Sequence, residues 1–224
     1  MTTPFFIALG TILALDGLLM AVLVKLAGDP RFAAWRIRPP QVPAIPKRLI
    51  MVNTAFNNAL SLAILGGFLW FFGRDYIYAG WPGAATFLGE SLGVLLLYDF
   101  MYYFFHRGMH IRGLMRYCHN VHHRVRSTTA DLSIFVNPLE ALIGVSLLVL
   151  AVLLLGPISA PSLLAMFFVY STANIVVHSN LRFPHPALRL FNFWAAKHDI
   201  HHHKARNNYS SIFPFWDQAF GTAE

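Results

Sequence analysis

Charged side chains are scarce in this chain. Asp, Glu, Lys and Arg together make up 12% of its 224 residues, against roughly 25% in an ordinary soluble domain. Apolar residues fill 56% of the sequence and the mean hydropathy is +0.52. This excludes a water-soluble globule and implies a protein that uses lipid as solvent. Cysteine is nearly missing too: Cys118 stands alone, so no intrachain disulfide, C-x-x-C pair or C-x-x-C-H haem attachment can form. The G-x-G-x-x-G fingerprint of a dinucleotide site is absent, so electrons for any redox chemistry are expected from a separate carrier. A net charge of +7 could suggest nucleic acid. The basic residues lie in loops between apolar runs, however, so membrane orientation explains them and no nucleic-acid partner is expected.

Long apolar runs take up most of the chain. The first, from about Pro4 to Ala27, can cross a hydrocarbon core of about 30 Å at about 1.5 Å per residue. It shows no basic leader or small-residue cleavage pattern, so it reads as a retained span and not a signal peptide. Asp16 lies near its middle, where an ionised carboxylate costs on the order of 2.5–3.5 kcal/mol. It is expected to face the bundle interior, as a structural partner or a channel-lining group. A connector over 28–48 follows, basic and broken by Pro39, Pro40, Pro43 and Pro46. A second span is expected from about Leu49 to Phe72, with Asn53, Asn57 and Asn58 spaced to contact a neighbouring helix. Gly73–Gly83 reads as an exposed turn, with Trp70, Trp81, Tyr76 and Tyr78 as an interfacial aromatic belt.

The third span, about Ala84 to Phe105, runs into His106. Asn137-Pro138-Leu139-Glu140 reads as an N-cap, an N1 proline and a capping-box acid, opening a fourth apolar helix to about Leu155. A fifth, about Ser162 to Val177, ends at His178. The expected fold is all-α: a membrane helical bundle of four to five spans, the last two crossing fully or dipping in as a hairpin. Its N-terminal spans, 1–83, and its histidine-bearing region, 84–224, form one integrated domain. With five passes the connectors 28–48 and 107–126 and the region with Arg182, Arg189, Lys197, Lys204 and Arg206 share one side. Positive-inside counting makes that side cytoplasmic.

Most of the 11 histidines sit in those cytoplasmic segments. His106 and His110 are spaced i, i+4; His119, His122 and His123 form H-x-x-H-H, which His198, His201 and His202 repeat. On a helix, positions i, i+3 and i+4 share a face, so each H-x-x-H-H is expected to aim three imidazoles at one point. Neutral imidazole suits iron, zinc, copper and nickel alike, but a structural zinc site is complete with about four ligands. Adding His178 to the eight clustered residues makes enough ligands for two metals and too many for one. His185 reads as a packing residue, and His203 points about 100° away from the triplet beside it; either could supply a further ligand.

Further residues extend this pattern. Asp99 and Tyr103 precede His106-Arg107 as D-x-x-x-Y-x-x-H-R, and Thr128-Thr129-Ala130 follows the first H-x-x-H-H. His178-Ser179-Asn180 with Arg182 and Pro184 is similar to H-S-N-x-R-x-P. Asn208-Tyr209 and Trp216–Thr222 resemble N-Y-G and W-D-x-x-F-G-T endings. Over about residues 90–222 the chain thus resembles the fatty acid hydroxylase and sterol desaturase superfamily. It departs from the pattern at Ser210, which replaces a glycine, at Asn137, where many members have histidine, and at Arg182, where some supply another histidine.

The resemblance implies a non-haem site of two iron ions, replaceable by zinc in a purified sample. It implies His106, His110, His119, His122, His123, His178, His198, His201 and His202 as ligands. It also implies Asp99, Tyr103 and Asn180 as residues that orient ligand rings. The activity implied is O2-dependent hydroxylation of a lipid or sterol at an unactivated C–H bond, fed by an external electron-transfer protein; desaturation on the same scaffold is the alternative. Arg112, Arg116, Arg124 and Arg126 suit an acidic redox partner, or only fix topology. A membrane metal transporter is more distant, since it predicts ligands near the midplane. A zinc hydrolase would need a carboxylate base, with Asp199 and Asp131 the nearby candidates. The particular lipid is left open.

Overall fold

A computed structural model describes residues 2–39 and 45–224; Pro40 and Pro43 of the connector lie outside the described residues. Among the described residues five helices are long and apolar enough to cross a membrane. These are α1 (Thr3–Gly28), α2 (Lys47–Phe71), α4 (Ala84–Met109), α7 (Pro138–Leu155) and α8 (Ala160–Val177). Two-residue strands β1 (Ile77–Tyr78) and β2 (Ile158–Ser159) and the short helices α3 (Gly73–Tyr76), α5 (Arg112–Leu114), α6 (Asn120–His123) and α10 (Phe215–Ala219) lie between and after them. A polar helix, α9 (Arg189–Lys204), follows α8. Apart from the small β pair the described chain is helical, as expected of an all-α bundle.

The helix ends follow local chemistry. Asn137 caps α7, its side chain accepting from the Leu139 N–H at 2.9 Å, with Pro138 at the first helical position where a missing N–H costs nothing. Gly156, at φ +99°, ends that helix in a conformation that only glycine adopts freely. α7 and α8 have 18 residues each, about 27 Å of rise, which is enough for a full crossing. Nothing interrupts α4 at Phe105, so it continues past the expected end to Met109 and carries His106 on its last turns.

The spans alternate in direction. At one end β1 pairs in parallel with β2, Ile77 opposite Ile158, and tethers the two tight turns. At the other end the connector after α1 meets the segment after α8: Arg36 bridges to Leu181, and the Ile37 N–H donates to the Asn180 carbonyl at 3.0 Å. All histidine-bearing segments lie at that second end. Val94, Leu95 and Tyr98 of α4 pack with Leu148, Ala151 and Val152 of α7 and Met166 and Ala173 of α8 in the main core. Gly93 permits the close approach, since a Cβ there would meet the Leu155 side chain at 3.3 Å. The outward faces keep Phe6, Leu18, Met51 and Val52 exposed, which suits contact with lipid tails and not with water. Trp70, Phe71, Tyr78 and Trp81 are exposed near the β-paired end, where an aromatic belt is expected. The asparagines of α2 find a different partner from the one expected. Asn53 and Asn57 donate to the carbonyls of Ile134 and Val136 in the loop before α7, satisfying backbone that no helix ladder reaches.

Candidate metal centre

The histidines converge in two buried groups. His106, His110, His119, His123 and His201 form one, and His122, His178, His198 and His202 the other. All nine residues expected as ligands are therefore brought together, but each H-x-x-H-H divides instead of aiming three rings at one point. His119 and His123, four apart, share a group, as do His198 and His202; the middle residues His122 and His201 cross to the other group. The cause is helical geometry: residues i+3 and i+4 are consecutive and about 100° apart, so one side leans to each flank of the stripe. In the first copy a single π-helical turn, Met115–His119, precedes α6. Such a turn changes the register with which the following side chains face the bundle. His203 and His185 are exposed and belong to neither group. His185 accepts from the Ala187 N–H and caps a short 3-10 turn.

Hydrogen bonds orient the rings. Nδ1 of His106 lies 2.7 Å from the Tyr209 carbonyl, Nδ1 of His178 2.8 Å from the Asn174 carbonyl, and Nδ1 of His201 2.7 Å from the Asn207 carbonyl. Nδ1 of His119 lies 2.8 Å from Glu140 Oε1. A carbonyl or carboxylate accepts only, so each of these nitrogens carries the proton and the opposite Nε2 presents a lone pair. Yet His106 Nε2 and His119 Nε2 are 3.1 Å apart. With Glu140 ionised, the two neutral rings have no hydrogen between those nitrogens, and a cation shared by both would relieve the contact. His110 Nε2 is buried with no hydrogen-bond partner among the described residues. The donor set therefore fits a metal, and the partners on Nδ1 are what ligating histidines have.

Titration points the same way. Burial first, and then the neighbouring imidazoles, holds His119, His122, His198, His201 and His202 well below the ordinary histidine range. Burial lowers His110 and His178 to about 4 and His123 to about 3. All are neutral near pH 7, the form a metal needs.

In the four-membered group the contacts run around a ring. His198 to His178 is 2.9 Å, His178 to His122 3.4 Å, His122 to His202 3.0 Å and His202 to His198 3.0 Å, all between Nε2 atoms. Ligands about 2.05 Å from one ion stand about 2.9 Å apart when at right angles and about 3.3 Å apart in a tetrahedron. The four Nε2 separations are close to that range, so these residues would be able to hold one ion together.

Asp99, Tyr103 and Asn180 have partners other than ligand rings. The Asp99 carboxylate accepts from the backbone N–H groups of Ser211, Ile212 and Phe213 at 2.7, 2.9 and 2.8 Å. The Tyr103 hydroxyl contacts Thr222 Oγ1 at 3.0 Å and accepts from Arg107 at 3.1 Å. Asn180 accepts from the Arg38 N–H and donates to the Arg38 carbonyl. These three fasten the chain around the histidines. The residue that does hold a ring by its side chain is Glu140, which the capping-box pattern concealed; the backbone carbonyls of Asn174, Asn207 and Tyr209 leave no sequence signal. Lys197, read as a topology charge, is buried, 3.1 Å from Asp217; burial lowers its pKa and the Asp217 charge opposes this. Ser210, in the glycine position, bonds both Lys197 and Asp217. Arg182 is exposed and its backbone N–H donates to the Trp35 carbonyl. Asp199 is ion-paired with Arg38 at 2.6 Å and Asp131 is exposed, so neither is a free base beside the rings.

Comparison with known proteins gives a consistent picture. The family model described as fatty acid hydroxylase matches residues 91–222. Methylsterol monooxygenase 1 of Gallus gallus is 28% identical over 201 residues, covering 86% of this chain and 67% of that protein. The protein of the same name from Rattus norvegicus is 32% identical over 155 residues, covering 68% and 52%. A cholesterol 25-hydroxylase-like protein of Danio rerio is 28% identical over 172 residues, covering 75% and 68%. The chain thus spans about half to two thirds of the length of these relatives. No solved structure matches it. With its histidine groups, their spacing and more than half its length accounted for by one family model, the chain belongs to the fatty acid hydroxylase family.

Proposed function

We propose that the protein is a membrane-bound, O2-dependent lipid hydroxylase that binds two iron ions through His106, His110, His119, His122, His123, His178, His198, His201 and His202. One observation carries this reading. A largely apolar cavity of about 320 Å³ extends from Leu13, Asp16 and Leu65, within the spans, to His106, His122, His178 and His198. It offers a lipid a path from bilayer depth to buried, uncharged imidazoles. The sterol names of the relatives favour a sterol or sterol-like substrate.

Bound in these groups, an iron pair supplies the activation of dioxygen that cleavage of an unactivated C–H bond requires. The net reaction joins R–H, O2, two electrons and two protons to give R–OH and water. The residues of the chain hold and exclude. Glu140 and the carbonyls of Asn174, Asn207 and Tyr209 keep protons on Nδ1 so that Nε2 faces inward, and the apolar wall keeps water from the reacting carbon. The electrons come from a separate carrier, for which Arg112, Arg116, Arg124 and Arg126 form an attractive basic surface, on the cytoplasmic side by positive-inside counting.

The test is a metal count on anaerobically purified protein together with lipid analysis of a host expressing it. Two irons per chain and a sterol or other lipid heavier by one oxygen are expected. Loss of two hydrogens instead would reassign the reaction to desaturation. Zinc alone, with no lipid changed by any supplied substrate, would overturn the proposal.

A further inference from the structure

Two acidic side chains line the cavity: Glu140, which is bonded to His119, and Asp16 of α1, which bonds no histidine among the described residues. Asp16 is 7% exposed. Its Oδ1 accepts from the Thr172 hydroxyl of α8 at 3.0 Å, while Oδ2 is buried with no partner among the described residues. No lysine or arginine lines the same cavity. A buried carboxylate oxygen left without a donor is destabilising, so a ligand that brings a donor to it is favoured.

We infer that the Asp16 carboxylate, which lines the cavity, receives the hydroxyl of the lipid bound there, which rests on the reading of that cavity as the substrate site. A hydroxyl has one O–H to donate and matches one free acceptor, whereas an ammonium brings three donors. Asn58 and Ser61 line the same cavity and offer neutral donors for the hydroxyl's own lone pairs. Thr172 of α8 precedes His178, the residue that caps the helix, by six positions, about 9 Å of rise, so the hydroxyl is held between one and two turns from the histidines. α1 packs on α8 and α2 on α7, with the cavity between, so a rigid apolar body anchored at Asp16 is held in one orientation. Asp16 is therefore a specificity-determining residue that decides which carbon lies beneath the rings.

The experiment measures binding of tritiated cholesterol to the detergent-purified, metal-loaded full chain, competed by unlabelled cholesterol or by its 3-methyl ether, which lacks the donor. The native chain should prefer the free alcohol by about tenfold. Asp16→Leu should bind both competitors equally, and Asp16→Asn, which keeps shape and one acceptor oxygen, should retain part of the preference and so controls for folding. A native chain that does not distinguish the alcohol from the ether, or an Asp16→Leu chain that still does, overturns the inference. Binding is read without turnover, so the two proposals fail separately. Discrimination lost in Asp16→Leu with no oxygenated product leaves the hydroxyl seat standing and removes the hydroxylase reading; product formed equally from alcohol and ether does the reverse.

Discussion

Glu140 links a span to the histidines at the level of a single residue. Its Oε1 meets His119 Nδ1 while Oε2 is buried without a hydrogen-bond partner. Glu140→Gln keeps the shape but weakens the charge that holds the ring, and metal affinity at the five-membered group should fall by about 10–100-fold, measured by competition with a chelator. An unchanged affinity would mean that the carboxylate only fills space. Acid acts on the rings directly. His110, His123 and His178 are lowered from an ordinary value of 6.5 to about 4, 3 and 4. Below pH 6.5 the unfolded chain takes up protons that the folded chain refuses, so stability rises with pH over this interval. Thermal midpoints of the metal-free protein should be flat above about pH 7 and fall between about pH 6.5 and 4; a midpoint that rises on acidification would contradict the burial of these rings. At this scale the sequence was most legible in identity and least in partnership. Histidine spacing picked out eight of the nine side chains, and His178 was added from its place at the end of a span, yet the roles of Glu140 and of three main-chain carbonyls depend on folds of the chain that bring residues far apart into contact.

Among the elements, α9 carries the clearest division of labour. His198 and His202 face one group and His201 the other. His198→Ala and His201→Ala should therefore each lower the amount of metal bound, at different groups, whereas His203→Ala should leave it unchanged; metal analysis of the three variants decides. Equal loss in all three would mean that the helical faces are misassigned. The segment after α9 depends on α4. Asp99→Ala would leave three backbone N–H groups without their acceptor, at roughly 1–3 kcal/mol each if they stay buried. Limited proteolysis should then cut near Ser211 while the spans remain protected. Hydropathy located the five long helices within a few residues because lipid imposes length and composition on them. The π turn before α6 left no such mark, and neither did the splitting of H-x-x-H-H, since both depend on small differences in register.

For the whole molecule, the alternating spans place the histidine segments and the β-paired turns at opposite ends. In a chain with Cys118 changed to serine, a cysteine at Arg116 and one at Trp81, both exposed positions, should react with an impermeant reagent from opposite faces of sealed vesicles. Reaction from the same face would break the five-pass topology. The bundle of five long helices could be read from run lengths. The cavity could not, because it arises between helices whose own sequences say only that they are apolar. The way the rings are shared has a consequence in time. The five-membered group needs His201 and the four-membered group needs His198 and His202, so neither is whole until α9 has been synthesised, some 75 residues after His123. A ribosome stalled before that point holds a chain with every span made and neither cluster closed, so metal loading belongs to the last stage of biogenesis.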